Sequence, residues 1–245
     1  ACTMQNAKKL SRKTNRWLRF GRLNLLAQLV FFCALAHSAL SLAASAKDAA
    51  QEPLRSVAFY YGEAPAWSEL QAFDLAVVEP DHIRETLPRL PLTRIAAYVS
   101  VGEIHASKIA SSKIPASWLI GDNRAWGSRI IDQSQAEWPA FFVDRLITPL
   151  WEKGYRSFFL DTLDAFQLVA KTPEQRTAQE AGLVAVIRQI KQRYPAAQLI
   201  FNRGFEILDR THAQATAVVA ESLFEAYDAA SQRYRPVPEQ DREWL

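Results

Sequence analysis

Tyr155-Arg156-Ser157-Phe158-Phe159-Leu160-Asp161-Thr162-Leu163-Asp164-Ala165-Phe166 holds an apolar run too short for a helix, entered from Gly154 and stopped by two carboxylates. An unbroken apolar run of this length is the pattern of a strand buried on both faces, as in a parallel sheet. In a barrel of parallel strands the reacting groups sit where strands end and loops begin, so Asp161 stands where chemistry is expected. The pattern recurs downstream, where Ala217-Val218-Val219-Ala220 runs into Glu221. Two carboxylates at the ends of two buried strands are the first expectation.

Outward from these runs, short apolar segments alternate with longer amphipathic ones. We read strands at 56–61, 75–78, 94–99, 129–131, 157–160, 198–201 and 217–220. The clearest helix is 173–194, where Ala178, Ala181, Val184, Ile187 and Ile190 share one face before Pro195 ends it. A second spans 135–153, with Ser134 as its cap, a bend at Pro149 and Gly154 as its end. Strands separated by helical segments point to a parallel sheet with helices outside. Without a Gly-rich phosphate loop this favours an α/β TIM-like (β/α)8 barrel over a doubly wound sheet. Seven strands are visible, so an eighth is expected beyond 234–245, and the barrel domain, 55–245, reads as truncated before it.

The 245 residues, 49% apolar, suit one sizeable core rather than two. The formal charge of +3 is misleading: Lys8, Lys9, Arg12, Lys13, Arg16, Arg19 and Arg22 lie in an acid-free stretch, and without those seven the 29 basic residues fall to 22 against 26 acidic ones. A basic nucleic-acid-binding surface loses its support, and no nucleic-acid partner is expected. The same stretch, 1–46, reads as a cleavable signal peptide: a cationic start, an apolar core from Leu25 to Leu42, then Ala44-Ser45-Ala46. A polar linker, 47–54, follows. The expectation is therefore a periplasmic or secreted protein with no retained membrane span. Both cysteines, Cys2 and Cys33, fall in the leader, so the exported part has no thiol chemistry and no disulfide. His82, His105 and His212 lack ligand spacing; no metal and no cofactor are expected.

Residues just after the strands would share one mouth: Gly62-Glu63, Glu79, Ser100 to Glu103, Asp132, Asp161 with Asp164, Asn202-Arg203, and Glu221. That rim is acidic. Glu63, Glu79 and Asp132 read as caps or loop salt bridges, whereas Asp161 and Glu221 follow directly on buried runs, where an unpaired carboxylate is costly unless it is put to use. Two carboxylates across a cleft can cleave a glycosidic bond, one as proton donor and the other as nucleophile or base. Thr162 and Asp164 give Asp161 a polar setting suited to a nucleophile, and Ala220, Leu223 and Phe224 give Glu221 an apolar one suited to a proton donor. Tyr60, Tyr61, Tyr98 and Trp126 are the aromatic side chains that could carry sugar rings. There is no G-x-S-x-G elbow, P-loop or G-x-G-x-x-G, which argues against a serine hydrolase or a nucleotide enzyme.

Taken together, Phe59-Tyr60-Tyr61-Gly62, Tyr98-Val99-Ser100-Val101-Gly102-Glu103, Phe159-Leu160-Asp161-Thr162-Leu163-Asp164, Asn202-Arg203-Gly204 and Ala220-Glu221-Ser222-Leu223 resemble the endo-α-1,4-polygalactosaminidase family of TIM-barrel glycoside hydrolases. The likeness is strongest to the hydrolase domains of Pel biofilm polysaccharide biosynthesis, and it covers residues 55 to 235. The resemblance implies hydrolysis of an α-1,4-linked, partly deacetylated galactosamine polymer. It implies Asp161 and Glu221 as catalytic acids and Tyr61, Glu103, Asp164 and Asn202 as groove residues. It also implies a cationic amino-sugar polysaccharide as partner, with other exopolysaccharide export proteins, and similar proteins continue into a polysaccharide deacetylase domain. The acidic rim agrees independently, since a focused negative cleft attracts cationic sugars. The alternative is a non-catalytic polysaccharide-binding or scaffold barrel of an export complex. Such a barrel needs no fixed spacing between Asp161 and Glu221, whereas glycosidase chemistry does.

Overall fold

A computed structural model describes residues 54–228 and 231–242. The expected leader and almost all of the linker lie outside the described residues.

The chain enters a parallel sheet through β1 (Val57–Tyr60), β2 (Leu75–Val78) and β3 (Arg94–Ser100), each hydrogen-bonded to the one before. It then leaves for a small antiparallel sheet of β4 (Glu103–His105), β5 (Leu119–Asn123) and β6 (Ser128–Ile131), in the order β4-β6-β5. Next come α1 (Trp138–Phe142), a π turn (Val143–Ile147) and α2 (Thr148–Glu152). The chain rejoins the parallel sheet as β7 (Ser157–Asp161), crosses by α3 (Pro173–Arg193) to β8 (Gln198–Asn202), and passes through α4 (Leu208–Thr211) to β9 (Ala215–Val219). An antiparallel hairpin, β10 (Glu225–Asp228) and β11 (Arg233–Pro236), follows. The parallel sheet has the order β1-β2-β3-β7-β8-β9 and forms six strands of a TIM-like barrel.

Both faces of this sheet are apolar, which explains its near-continuous hydrophobic runs. Ala76, Val78, Ala97, Val99, Phe158, Leu160, Leu199 and Phe201 face the helices, packing with Trp138, Phe142, Ile147, Leu183, Ile187 and Ile190. The alternate residues Leu75, Val77, Ala96, Phe159 and Ile200 form the inner cluster, with Tyr98, Ala217 and Val219 against it. Burying a side chain such as Phe158 or Leu160 contributes about 1.5–3 kcal/mol. The pleat then decides the next residues along: Asp161 shares the inner face with Phe159, and Asn202 shares it with Ile200.

α3 begins as its sequence dictates. Thr172 accepts from the Gln175 amide while Gln175 reaches back to Thr172, and Pro173 occupies the first turn. Its inner side is seated on Gln133: Gln179 accepts from the Gln133 amide at 2.8 Å, and the Gln133 side chain donates to Val101 O at 3.1 Å and accepts from Trp138 at 2.8 Å. The approach is so close that a Cβ on Gly182 would stand 1.8 Å from the Gln133 carbonyl oxygen.

Three expectations are corrected. The segment 129–131 is not a barrel strand: its apolar run belongs to β6, whose partners β4 and β5 are both antiparallel, so the parallel strands number six among the described residues. The helix expected at 135–153 starts at Trp138 and is interrupted by the π turn, with Pro149 in the first turn of α2. Ser134 caps nothing; its amide and hydroxyl both donate to Asp132. Gly154 does end that helical segment, at φ +105°.

Candidate active site

Asp161 is the last residue of β7, in register with Ser100 of β3. It is half-buried, and donors occupy both of its oxygens: Tyr98 Oη at 2.5 Å on Oδ2 and Asn202 Nδ2 at 2.7 Å on Oδ1. Asn202 is the last residue of β8, and the same Nδ2 donates to Glu221 Oε2. An amide nitrogen carries two hydrogens, so one can go to each carboxylate. Two hydrogen bonds through a single atom hold these carboxylate oxygens within roughly 6 Å of each other. Asn202 Oδ1 is buried without a partner, so the amide satisfies the two anions with its donor side at the expense of its own acceptor.

Glu221 sits just beyond β9 and is exposed. The expected apolar setting is therefore corrected: β9 is only half-buried, and Phe224 turns 66% of its surface to solvent. What singles out Glu221 is its bond to Asn202.

Each of these three strand ends is followed by a residue in the left-handed region, Thr162, Arg203 and Ser222, all with φ of 60°. None is glycine, and for a β-branched threonine this conformation is unusual and strained. Cross-strand hydrogen bonds hold it there. Thr162 Oγ1 accepts from the Gly102 amide at 2.8 Å and lies 2.9 Å from Ser100 Oγ, which donates to the Glu103 carbonyl at 2.8 Å. A Cβ on Gly102 would come within 2.2 Å of the Thr162 carbonyl oxygen, so this close approach requires glycine. The Arg203 amide in turn donates to Val219 O at 2.8 Å, tying the end of β8 to β9.

Aromatic rings line the inner face below the carboxylates. Tyr98 meets Tyr61 edge-on, with centroids 5.2 Å apart, and stacks near Phe159 at 6.2 Å. Burial, the charge of Asp161 and the bond to it raise the Tyr98 phenol well above its ordinary pKa. Burial and then the charges of Asp161, Glu221 and Glu79 do the same for Tyr61. Both therefore remain hydroxyl donors. Tyr98 is a site residue that sequence reading placed only among sugar platforms; lying inside β3, it looks like core.

The other rim acids have local partners. Glu79 caps the turn Pro80–His82 and lies 3.5 Å from Lys108 Nζ, which also bonds Asp81 at 2.6 Å. Glu63 makes a distant ion pair with Arg84, and Asp132 gathers Ser134, Gln135 and Gln179 at the foot of α3. Glu103, only 8% exposed, accepts from Asn123 at 2.9 Å and from Ser128, so the small sheet holds it. Asp164 lies 3.0 Å from Arg203 Nε, an ionic contact without hydrogen-bond alignment. The structure thus brings Tyr61, Asn202, Asp161 and Glu221 together, while Glu103 and Asp164 are engaged with neighbouring side chains.

The model of glycoside-hydrolase family GH114 matches residues 39–241. Among solved structures, the glycoside hydrolase domain of PelA from Pseudomonas aeruginosa superposes with a TM-score of 0.68 at 37% identity, over 78% of this chain and 77% of that one. Ega3 of Aspergillus fumigatus, in complex with galactosamine, gives a TM-score of 0.52 at 13% identity over 69% of this chain and 67% of that one, a likeness of fold. No curated protein sequence matches the chain.

Proposed function

The chain belongs to glycoside-hydrolase family GH114, and from that premise we propose that it cleaves α-1,4-linked, partly deacetylated galactosamine polysaccharide by a two-carboxylate mechanism. The observation that carries the mechanism is the Asn202 amide shared by Asp161 and Glu221. It supports a spacing in the range of retaining glycosidases, in which the carboxyl groups stand about 5–5.5 Å apart. The substrate class is supported by the motif resemblance, by the galactosamine bound in the fold relative Ega3, and by the clustering of Asp161, Glu221 and Glu79 around Tyr61, which favours a cationic sugar.

In this reading Asp161 is the nucleophile. Tyr98 and Asn202 fix its orientation, and a lone pair remains for the anomeric carbon. Glu221, exposed at the mouth, protonates the leaving glycosidic oxygen as the C–O bond breaks and a glycosyl ester forms on Asp161. It then takes a proton from water, whose oxygen attacks the same carbon and releases Asp161. The leader pattern in 1–46 supports a place outside the cytoplasm, and the motif resemblance supports a role in exopolysaccharide production. The test is to incubate the protein with partly deacetylated galactosaminan and measure new reducing ends, which should accumulate with time. No release from this polymer, set against release from another glycan, would overturn the substrate assignment.

A further inference from the structure

Three large aromatic side chains that the two-carboxylate reaction does not use stand exposed side by side. Trp126, 63% exposed, lies on the turn between β5 and β6, and Tyr227 and Tyr234, 41% and 70% exposed, face each other across β10 and β11. The Trp126 and Tyr227 centroids are 6.1 Å apart with the rings tilted by 36°, and those of Tyr227 and Tyr234 are 5.5 Å apart at 63°. Two hairpins from different sheets thus converge on one aromatic strip, with ring spacings of the order of a pyranose residue. Leaving this much apolar surface in water marks a binding surface, and ring faces suit the C–H faces of sugars.

The strip is continuous with the mouth through both of its supports. β10 follows directly on the turn that carries Glu221, and β5 and β6 supply the Asn123 and Ser128 that hold Glu103. Its charge setting differs. Around the carboxylate pair stand Glu79 and Glu103, whereas beside the strip lie Arg124, Arg233 and Arg235 with Glu225 and Asp228. Asp228 is bonded to Arg235 at 2.9 Å and Ser231 at 2.7 Å. A sugar ammonium gains nothing there, whereas an uncharged ring loses nothing.

We propose that Trp126, Tyr227 and Tyr234 form a remote stacking subsite that takes the N-acetylated, uncharged residues of a polymer whose cationic, deacetylated residues lie in the acidic mouth. This rests on the galactosaminan reading above and adds to it a preference for mixed acetylation. The experiment compares the full chain with Trp126→Ala, Tyr234→Ala and the conservative Trp126→Phe. Substrates are galactosamine di- and trisaccharides and long galactosaminans of full, partial and no N-acetylation. On the partly acetylated polymer each alanine variant should raise KM about tenfold relative to its effect on the short oligosaccharides, with kcat held. Trp126→Phe should keep most of the affinity, and the fully deacetylated polymer should show little difference between variants and parent. Equal KM ratios on short and long substrates, or an effect as large on the fully deacetylated polymer, would overturn the subsite. If the parent released no reducing ends from any of them, the hydrolase reading would fail, and gel retardation by the N-acetylated polymer would then judge the strip alone. Retardation lost in both alanine variants supports it, and retardation absent from the parent or equal in all variants overturns it.

Discussion

The side-chain nitrogen of Asn202 donates to Asp161 and to Glu221 at once, so one amide sets the spacing of both carboxylates. Replacing it should be costly out of proportion to its size. Asn202→Ala is expected to lower kcat/KM about a hundredfold, the scale of losing one aligned donor in an active site. Asn202→Asp should do more, because a third carboxylate there disfavours ionisation of the other two and moves the acidic limb of the pH–activity profile to higher pH. An unshifted acidic limb in Asn202→Asp would mean that the amide only packs.

Asp161→Asn and Glu221→Gln preserve shape while removing charge, and each should cost about a thousandfold or more in kcat without lowering the melting temperature appreciably. Azide separates the roles. In a small-residue variant of Asp161 it should restore turnover by forming a glycosyl azide of inverted configuration. In the Glu221 counterpart the product should have retained configuration, and activated leaving groups should be favoured. Inversion from the Glu221 variant would exchange the two assignments.

Tyr98→Phe removes only the 2.5 Å bond to Asp161 Oδ2 and leaves the ring on Phe159. A fall in kcat of about tenfold is expected, with KM and thermal stability nearly unchanged. Because burial and Asp161 raise the phenol well above its ordinary value, its ionisation should produce no alkaline limb below about pH 10 in the parent. Steady-state kinetics from pH 5 to about pH 10 would test both statements.

Asp132 offers a stability test away from the chemistry. Burial opposes its charge, but hydrogen bonds from Ser134, Gln135 and Gln179 outweigh that and lower its pKa below the ordinary 3.8. A carboxylate more acidic in the folded state stabilises the fold above its unfolded pKa and loses that contribution as pH falls through the folded value. Asp132→Asn should therefore be less stable than the parent at pH 7, and the gap should close on acidification below about pH 3.8. Denaturant unfolding of both proteins at the two extremes would measure it; a gap that stayed constant with pH would assign the loss to packing.

The ends of the strands were legible because an apolar run stopped by Asp161 or Glu221 leaves few other places for the charge. Asn202 was legible for the same reason. The strand at 129–131 was misread because Ile130 and Ile131 look alike in a barrel strand and in β6; only the partner decides, and that partner carries Glu103. The neighbours of Glu221 misled in a related way, since apolar residues beside it in the chain, Phe224 above all, point to solvent rather than over the carboxylate. Tyr98 was hidden by its position inside a strand: nothing in the run 94–99 tells which inward side chain ends in a donor facing the next strand's acid. The strip of Trp126, Tyr227 and Tyr234 depends on two hairpins meeting, a relation that no local pattern carries.

The left-handed residues after Asp161, Asn202 and Glu221 have a consequence for how such a protein can change. At each of these ends the chain turns away from the sheet one residue after the functional side chain. Reach and orientation are therefore decided by the last rung of the strands, and whatever follows can lengthen, shorten or change composition without dragging the carboxylates along. Catalytic geometry and substrate preference become separable inheritances, one written in the strands and the other in the loops. A lineage could explore new acetylation patterns or chain lengths by rewriting hairpins such as β10–β11 while the pair around Asn202 stayed where it is.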